Sequence, residues 1–288
     1  MNEESSAEQP LFELNDAEVV RAGRTILHVD KFSLAKGENI ALLGPNGAGK
    51  STFVKLITRE VMPLYREQPP VKFNGNPRAT LVDVRKTLGI VSSTMQAQIN
   101  VHLPAVDIVE GGLFGTLGLP RHVHPDERTH AKALEAMEML GVAKLAEQDI
   151  MTMSSGQARR VLFARALVHD PSTLLLDEPC TGLDPEGMYY VRSSMRDLAR
   201  AGKGIVLITH YPEDIIPEIK RLVLVKEGKL FSDGDLFFIN FHCKFLSGYP
   251  KEQSDHQSCA AYQSRSNKYS CNHKTPSLNH SGKSEERN

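Results

Sequence analysis

Gly44-Pro45-Asn46-Gly47-Ala48-Gly49-Lys50-Ser51-Thr52 sits between an apolar run, Ile40 to Leu43, and the segment Phe53-Val54-Lys55-Leu56-Ile57. The first flank reads as a buried strand and the second as the opening turns of a helix. Strand, glycine-rich loop and helix together are the context in which a G-x-x-x-x-G-K-[ST] pattern carries meaning. Glycines let the backbone turn with its N–H groups facing inward, where a side chain would block a phosphate. The helix start adds free N–H donors and a partial positive charge. Lys50 supplies a mobile ammonium for β- and γ-phosphates, Ser51 a hydroxyl for Mg²⁺, and Thr52 support at the α-phosphate.

A second stretch answers the first. Leu174-Leu175-Leu176-Asp177-Glu178-Pro179 is an apolar strand ending in two acids. In a parallel sheet the carboxyl ends of the strands converge on the ligand crevice. Asp177 is then expected to hold Mg²⁺ through water, and Glu178 to face the γ-phosphate and polarise the attacking water. Met153-Ser154-Ser155-Gly156-Gln157 precedes a helical segment, 158–169, dotted with Arg159, Arg160 and Arg165. A serine at a helix start caps it, and a capped start is also an anion site.

The 288 residues suffice for one large domain, or a domain with a subdomain and a tail. A net charge of −1 excludes a bulk electrostatic grip on nucleic acid or acidic lipid. No apolar run approaches the roughly 20 residues that cross a bilayer. Residues 1–10 are polar and acidic and read as a flexible N-terminus rather than a secretory signal. Cys180, Cys243, Cys259 and Cys271 form no C-x-x-C pair, which argues against a disulfide framework and for the cytosol.

Residues 12–20, the turn Arg21-Ala22-Gly23-Arg24 and residues 25–29 read as a β-hairpin. Val71-Lys72-Phe73 and Leu88-Gly89-Ile90-Val91-Ser92 read as strands. From 94 to 157 the language is helical: glycines at 111, 112, 115 and 118 break an apolar segment, and 126–140 forms a helix with Ala133, Leu134, Met137 and Leu140 on one side. Pro185 to Arg200 is a helix started by Asp184-Pro185, Gly204 to Thr209 is a buried strand, and residues 222–231 form a last hairpin. Such alternation argues for an α/β fold with a mostly parallel sheet covered by helices on both faces. Residues 241–288 are polar and without period, and read as a disordered tail. Phe237-Phe238-Ile239-Asn240-Phe241 is apolar enough to pack on the body.

With these pieces in order, residues 11–235 resemble an ABC-type ATPase, the nucleotide-binding subunit of an ABC transporter. Residues 44–52 match the Walker A loop and 173–179 match Walker B. Residues 153–157 are similar to the Leu-Ser-Gly-Gly-Gln signature, with Met153 for Leu and Ser155 for the first Gly. Gly182-Leu183-Asp184 resembles the D-loop, and His210 the switch histidine. The resemblance implies a P-loop NTPase core (about 11–240) with an N-terminal antiparallel β subdomain and a helical signature subdomain at about 94–157. It also implies ATP and Mg²⁺ as ligands. In this family two copies face head to tail, each ATP held between the Walker loops of one copy and residues 154–157 of the other. Asp184 then reports across the interface, and Lys50, Glu178 and His210 carry the chemistry.

Two places depart from the family pattern. Its adenine-stacking aromatic is replaced by Val20 and Arg21; an arginine plane also stacks on a base. Its Q-loop glutamine is expected just after residue 91, whereas Ser92-Ser93-Thr94-Met95 intervene before Gln96, with Gln98 beyond. Gln96 is the favoured candidate. The resemblance further implies a homodimer or pseudo-dimer docked on a separate membrane subunit, hence a cytoplasmic chain peripheral to the inner face of the cell membrane. The stretch 106–119 suits a groove for a partner helix, or is simply core. A soluble relative acting on DNA or the ribosome is the competing reading; two cassettes, a coiled-coil insert or a strongly basic linker would mark it, and none is present.

Overall fold

The computed structural model describes residues 9–236. Its strands are β1 (Phe12–Arg21), β2 (Arg24–Leu34), β3 (Ile40–Leu43), β4 (Val71–Phe73), β5 (Leu88–Ser92), β6 (Thr173–Asp177), β7 (Gly204–Thr209), β8 (Arg221–Lys226) and β9 (Lys229–Asp235). Its helices are α1 (Lys50–Ile57), α2 (Leu81–Thr87), α3 (Ser93–Gln98), α4 (Ala105–Glu110), α5 (Glu127–Met139), α6 (Ser155–Leu167) and α7 (Pro185–Arg200). Residues 237–241 and the tail 241–288 lie outside the described residues, as do residues 1–8.

All nine strands join one sheet in the order β4-β1-β2-β9-β8-β3-β7-β6-β5. The half from β8 to β5 is parallel, and β1, β2 and β4 pair antiparallel. A single parallel pair, His28 with Lys229, joins the two halves. The antiparallel hairpins are thus an extension of the main sheet.

Residue alternation explains why the central strands read as unbroken apolar runs. Ile40, Leu42, Leu175, Val206, Ile208, Val223 and Val225 share one face and one core with Phe53, Leu56 and Ile57 of α1 and the inner side of β1 and β2. Ala41, Leu174, Leu176, Ile205 and Leu207 are buried too, on the opposite face. A strand buried on both sides has no polar period to show. Helix α6 covers that second face. It is buried nearly all round, packed by α4, α5, α7 and β5, which explains its lack of an amphipathic stripe. Helix α7, at the surface, does show one, through Val191, Met195 and Leu198.

α6 presses on β5 at Gly89, where an added Cβ would lie 2.6 Å from the carbonyl oxygen of Ala166 and 2.4 Å from Leu174 Cδ2. Leucine can turn away; a helix backbone cannot. Gly89→Ala is expected to destabilise the chain by about 1–3 kcal/mol through overpacking. Urea unfolding measures this, and an unchanged midpoint would show that α6 does not sit where described.

Residues 93–167 carry helices α3 to α6 and short 3₁₀ turns. Asp126 caps α5, accepting from the Thr129 N–H at 2.8 Å. In the stretch 106–119, Val106, Ile108 and Val109 are buried core. That half is therefore unavailable as a groove for a partner; Phe114, further on, is exposed. No helix among the described residues is long and apolar enough to cross a membrane.

Candidate functional site: a phosphate loop facing two carboxylates and a histidine

β3 delivers the chain to Gly44, whose Cβ position lies 2.3 Å from the Val225 carbonyl oxygen of neighbouring β8. Any side chain there would push the loop off the sheet. Gly49, at φ +110°, is the N-cap of α1 in a left-handed conformation that glycine accepts freely. No side chain caps this helix and its first turn holds no acid. Its N–H groups and dipole are left for an external anion. Ser51 and Thr52 lie in that first turn, Ser51 exposed and Thr52 half-buried, while Pro45, Asn46 and Gly47 are exposed on the rim and Ala48 is buried. The Ala48 carbonyl accepts from the Gly228 N–H at 2.9 Å, and the Gly49 Cβ position lies 3.5 Å from the Ile26 carbonyl oxygen. The loop is thus braced by the β8–β9 turn and by β2.

Lys50 is only 6% exposed. Its Nζ donates to the carbonyls of Gly44 at 2.7 Å and Pro45 at 3.1 Å. An ammonium has three protons, so one remains for a ligand. Burial holds its pKa below the ordinary lysine value, against the opposing pull of Glu178 and Asp177.

Asp177 ends β6, in register with Ser92 of β5 and Ile208 of β7, and Glu178 follows it directly. Burial, with the neighbouring Glu178 charge second, pushes the Asp177 carboxyl up to about 6; Lys50 and Lys55 pull the other way. Two crowded carboxylates of which one resists ionisation form a donor set that suits a hard divalent cation. Glu178 has φ +51°, left-handed for a residue with a Cβ, which costs about 1–2 kcal/mol. The Glu178 N–H is tied to the Ile208 carbonyl at 2.8 Å. Its carboxylate Oε1 lies 3.0 Å from Nδ1 of His210, the residue directly after β7. The His210 ring packs on Tyr211, centroids 3.8 Å apart. Lys50, Asp177, Glu178 and His210 thus gather where adjacent strands β3, β7 and β6 end.

The other group of expected site residues collects elsewhere. Ser154 is the N-cap of α6: its Oγ accepts from the Gln157 N–H at 3.2 Å, and Gln157 Oε1 accepts from the Ser154 N–H at 3.0 Å. This reciprocal capping box occupies an acceptor site on Ser154 and leaves its hydroxyl proton available. Gly156 is buried against Gly187, where an added Cβ would lie 2.9 Å from the Gly187 Cα. The start of α6 therefore touches the start of α7. Asp184 caps α7, accepting from the Gly187 N–H at 2.8 Å. Ser155 is half-buried beside them. Among the described residues no hydrogen bond or ion pair joins residues 154–157 to residues 44–52. Gln96 is half-buried on α3, which begins directly after β5, so the residues after Ser92 coil into a helix.

Some of the surroundings were not legible. Arg159 is 3% exposed, and its Nη2 reaches the Thr181 carbonyl at 3.5 Å. Asp214, 1% exposed, pairs with Arg192. The Cys180 thiol, beside this pair, is pushed up to about 12 by burial first and the Asp214 charge second, and so is inert. Arginines on helices and an aspartate in a loop give no sequence signal of pairing.

Comparison with known proteins agrees with this geometry. The family model for ABC transporters matches residues 27–181, more than half of the chain. The ABC transporter ATP-binding protein YlmA of Bacillus subtilis is 30% identical over 232 residues, 78% of this chain and 86% of the relative. The energy-coupling factor transporter ATP-binding protein EcfA of Methanocaldococcus jannaschii is 33% identical over 217 residues, 74% of each. Among solved structures, cbiO1 of Clostridium perfringens superposes with a TM-score of 0.70 over 83% of this chain and 94% of that one, at 22% identity, a likeness of fold. The phosphate loop, its facing carboxylates and these likenesses converge: the chain belongs to the ABC transporter family, as one of its ATP-binding, ATP-hydrolysing proteins.

Proposed function

We propose that the chain powers a transporter by closing on ATP as a head-to-tail pair of ATPase subunits. The observation that carries this reading is the division of the site. The loop 44–52 and the acids at 177 and 178 form one anion- and cation-ready half, and the capped start of α6 forms another, unconnected to it within the chain. MgATP is a dense charge that needs donors on all sides. A second copy, bringing Ser154, Ser155, Gly156 and Gln157, closes the open side of the γ-phosphate.

In this reading the loop N–H groups and Lys50 bind the phosphates. Ser51 and Asp177 would hold Mg²⁺, which neutralises charge on the β- and γ-oxygens when bound. Glu178 orients the attacking water and accepts its proton, while His210, bonded to Glu178, keeps that carboxylate aimed. Gln96 senses the γ-phosphate side, and Asp184 lies where α7 meets the partner. Arg21, at the tip of the β1–β2 hairpin that braces the loop, offers its guanidinium plane to the base.

EcfA, by name, serves an energy-coupling factor transporter. By that likeness we place this chain at the inner face of a membrane, docked on a separate transporter subunit through its helical segment near Phe114. A net charge of −1 lends no support to activity on nucleic acid. The test is ATP turnover per chain across protein concentrations spanning a hundredfold. A composite site predicts a specific rate that climbs with concentration and then saturates. A constant rate at concentrations where light scattering reports single chains would overturn the paired site.

A further inference from the structure

His210 is held in place by a buried network that reaches the far side of its own loop. The Thr209 hydroxyl oxygen accepts from the Tyr211 N–H at 3.0 Å, closing a small ring around the histidine's peptide. That same hydroxyl donates to Asp214 Oδ2 at 3.0 Å. Asp214 sits on the 3₁₀ turn Pro212–Asp214, its own N–H bonded to the Tyr211 carbonyl at 3.1 Å. Its second oxygen, Oδ1, accepts from Arg192 Nη2 at 2.9 Å. Arg192 belongs to α7, the helix capped by Asp184. A carboxylate with both oxygens committed to two different elements is a rigid connector. Removing it frees the Thr209 hydroxyl and leaves a guanidinium short of its partner.

We propose that Asp214 is a positioning residue for hydrolysis: through Thr209 it fixes the turn that carries His210, and through Arg192 it ties that turn to α7. The inference rests on the role given above to His210 and Glu178. Its consequence is that a shift of α7, whose start touches the start of α6 at Gly187 and Gly156, is passed to the histidine without contact with nucleotide. The effect of Asp214 is on where the His210 ring stands, and therefore on the 3.0 Å bond to Glu178.

A double-mutant cycle separates positioning from plain stability. Asp214→Ala and Asp214→Asn are each made in the parent chain and in His210→Ala, and steady-state turnover is measured at one protein concentration with MgATP varied from below to well above saturation. In the parent background the Asp214 variants are expected to lower kcat about ten- to a hundredfold, the scale of a misplaced catalytic group, with KM for MgATP within about threefold. In His210→Ala the further loss should be under threefold, because the group being positioned is gone. Should Asp214→Ala fail to fold, Asp214→Asn, nearly the same size, gives the same reading. A further loss of threefold or more in His210→Ala, an unchanged kcat in the parent, or a loss confined to KM would each overturn the proposal. A parent chain that turns over no ATP would instead sink the hydrolysis reading on which it stands.

Discussion

Glu178→Gln binds ATP and hydrolyses it about 10²–10³ times more slowly than the parent chain, the scale of losing a group that acts only in the transition state. The amide keeps the shape of the carboxylate and leaves the Glu178 N–H bonded to Ile208, so the strained turn at φ +51° survives. What disappears is the negative oxygen that receives a proton from water and a bond from His210 Nδ1. Binding is expected to hold or strengthen, because one of two crowded anions beside the γ-phosphate has been neutralised. Steady-state phosphate release together with equilibrium ATP titration decides it. Normal turnover would remove Glu178 from the chemistry.

Lys50→Ala is expected to weaken ATP binding by about 1.5–3 kcal/mol, one charge-assisted contact, or about ten- to a hundredfold or more in Kd. The lysine also braces the loop itself, where it satisfies the carbonyls of Gly44 and Pro45. Part of the loss is therefore a loosened loop. Thermal unfolding without nucleotide measures that part separately, and only the remainder belongs to the phosphate contact. Unchanged affinity in a calorimetric titration would contradict the assignment of the loop.

Much of the fold around the candidate site could be read from the chain because its local chemistry and its long-range packing agree. Ile40 to Leu43, Leu88 to Ser92, Pro185 to Arg200 and Gly204 to Thr209 begin and end where the sequence indicates. Each is an apolar run or amphipathic stretch bounded by Gly, Pro, Asp or a polar turn. The hairpin turns at Ala22-Gly23 and Glu227-Gly228 have positive φ at both residues, as two-residue loops demand. β2 extends beyond the 25–29 arm that the sequence indicates, through Asp30 and Lys31 to Leu34, since both charges point to solvent and the strand needs only Phe32 and Leu34 inside. The short helix α3 and the burial of α4 were not evident, for periodicity over six residues separates neither helix from loop nor groove from core. Least visible were the buried charges. Arg159 on α6 and Asp214 after β7 look like surface residues, and only the folded packing, which leaves them 3% and 1% exposed, shows otherwise.

The central claim is that one chain holds half of what a triphosphate needs, and the direct test is the mass of Glu178→Gln in solution. Static light scattering of this variant, with and without MgATP, should show a single chain near 31.9 kDa without nucleotide and twice that mass with it. A mass that stays at one chain with MgATP bound would contradict the account.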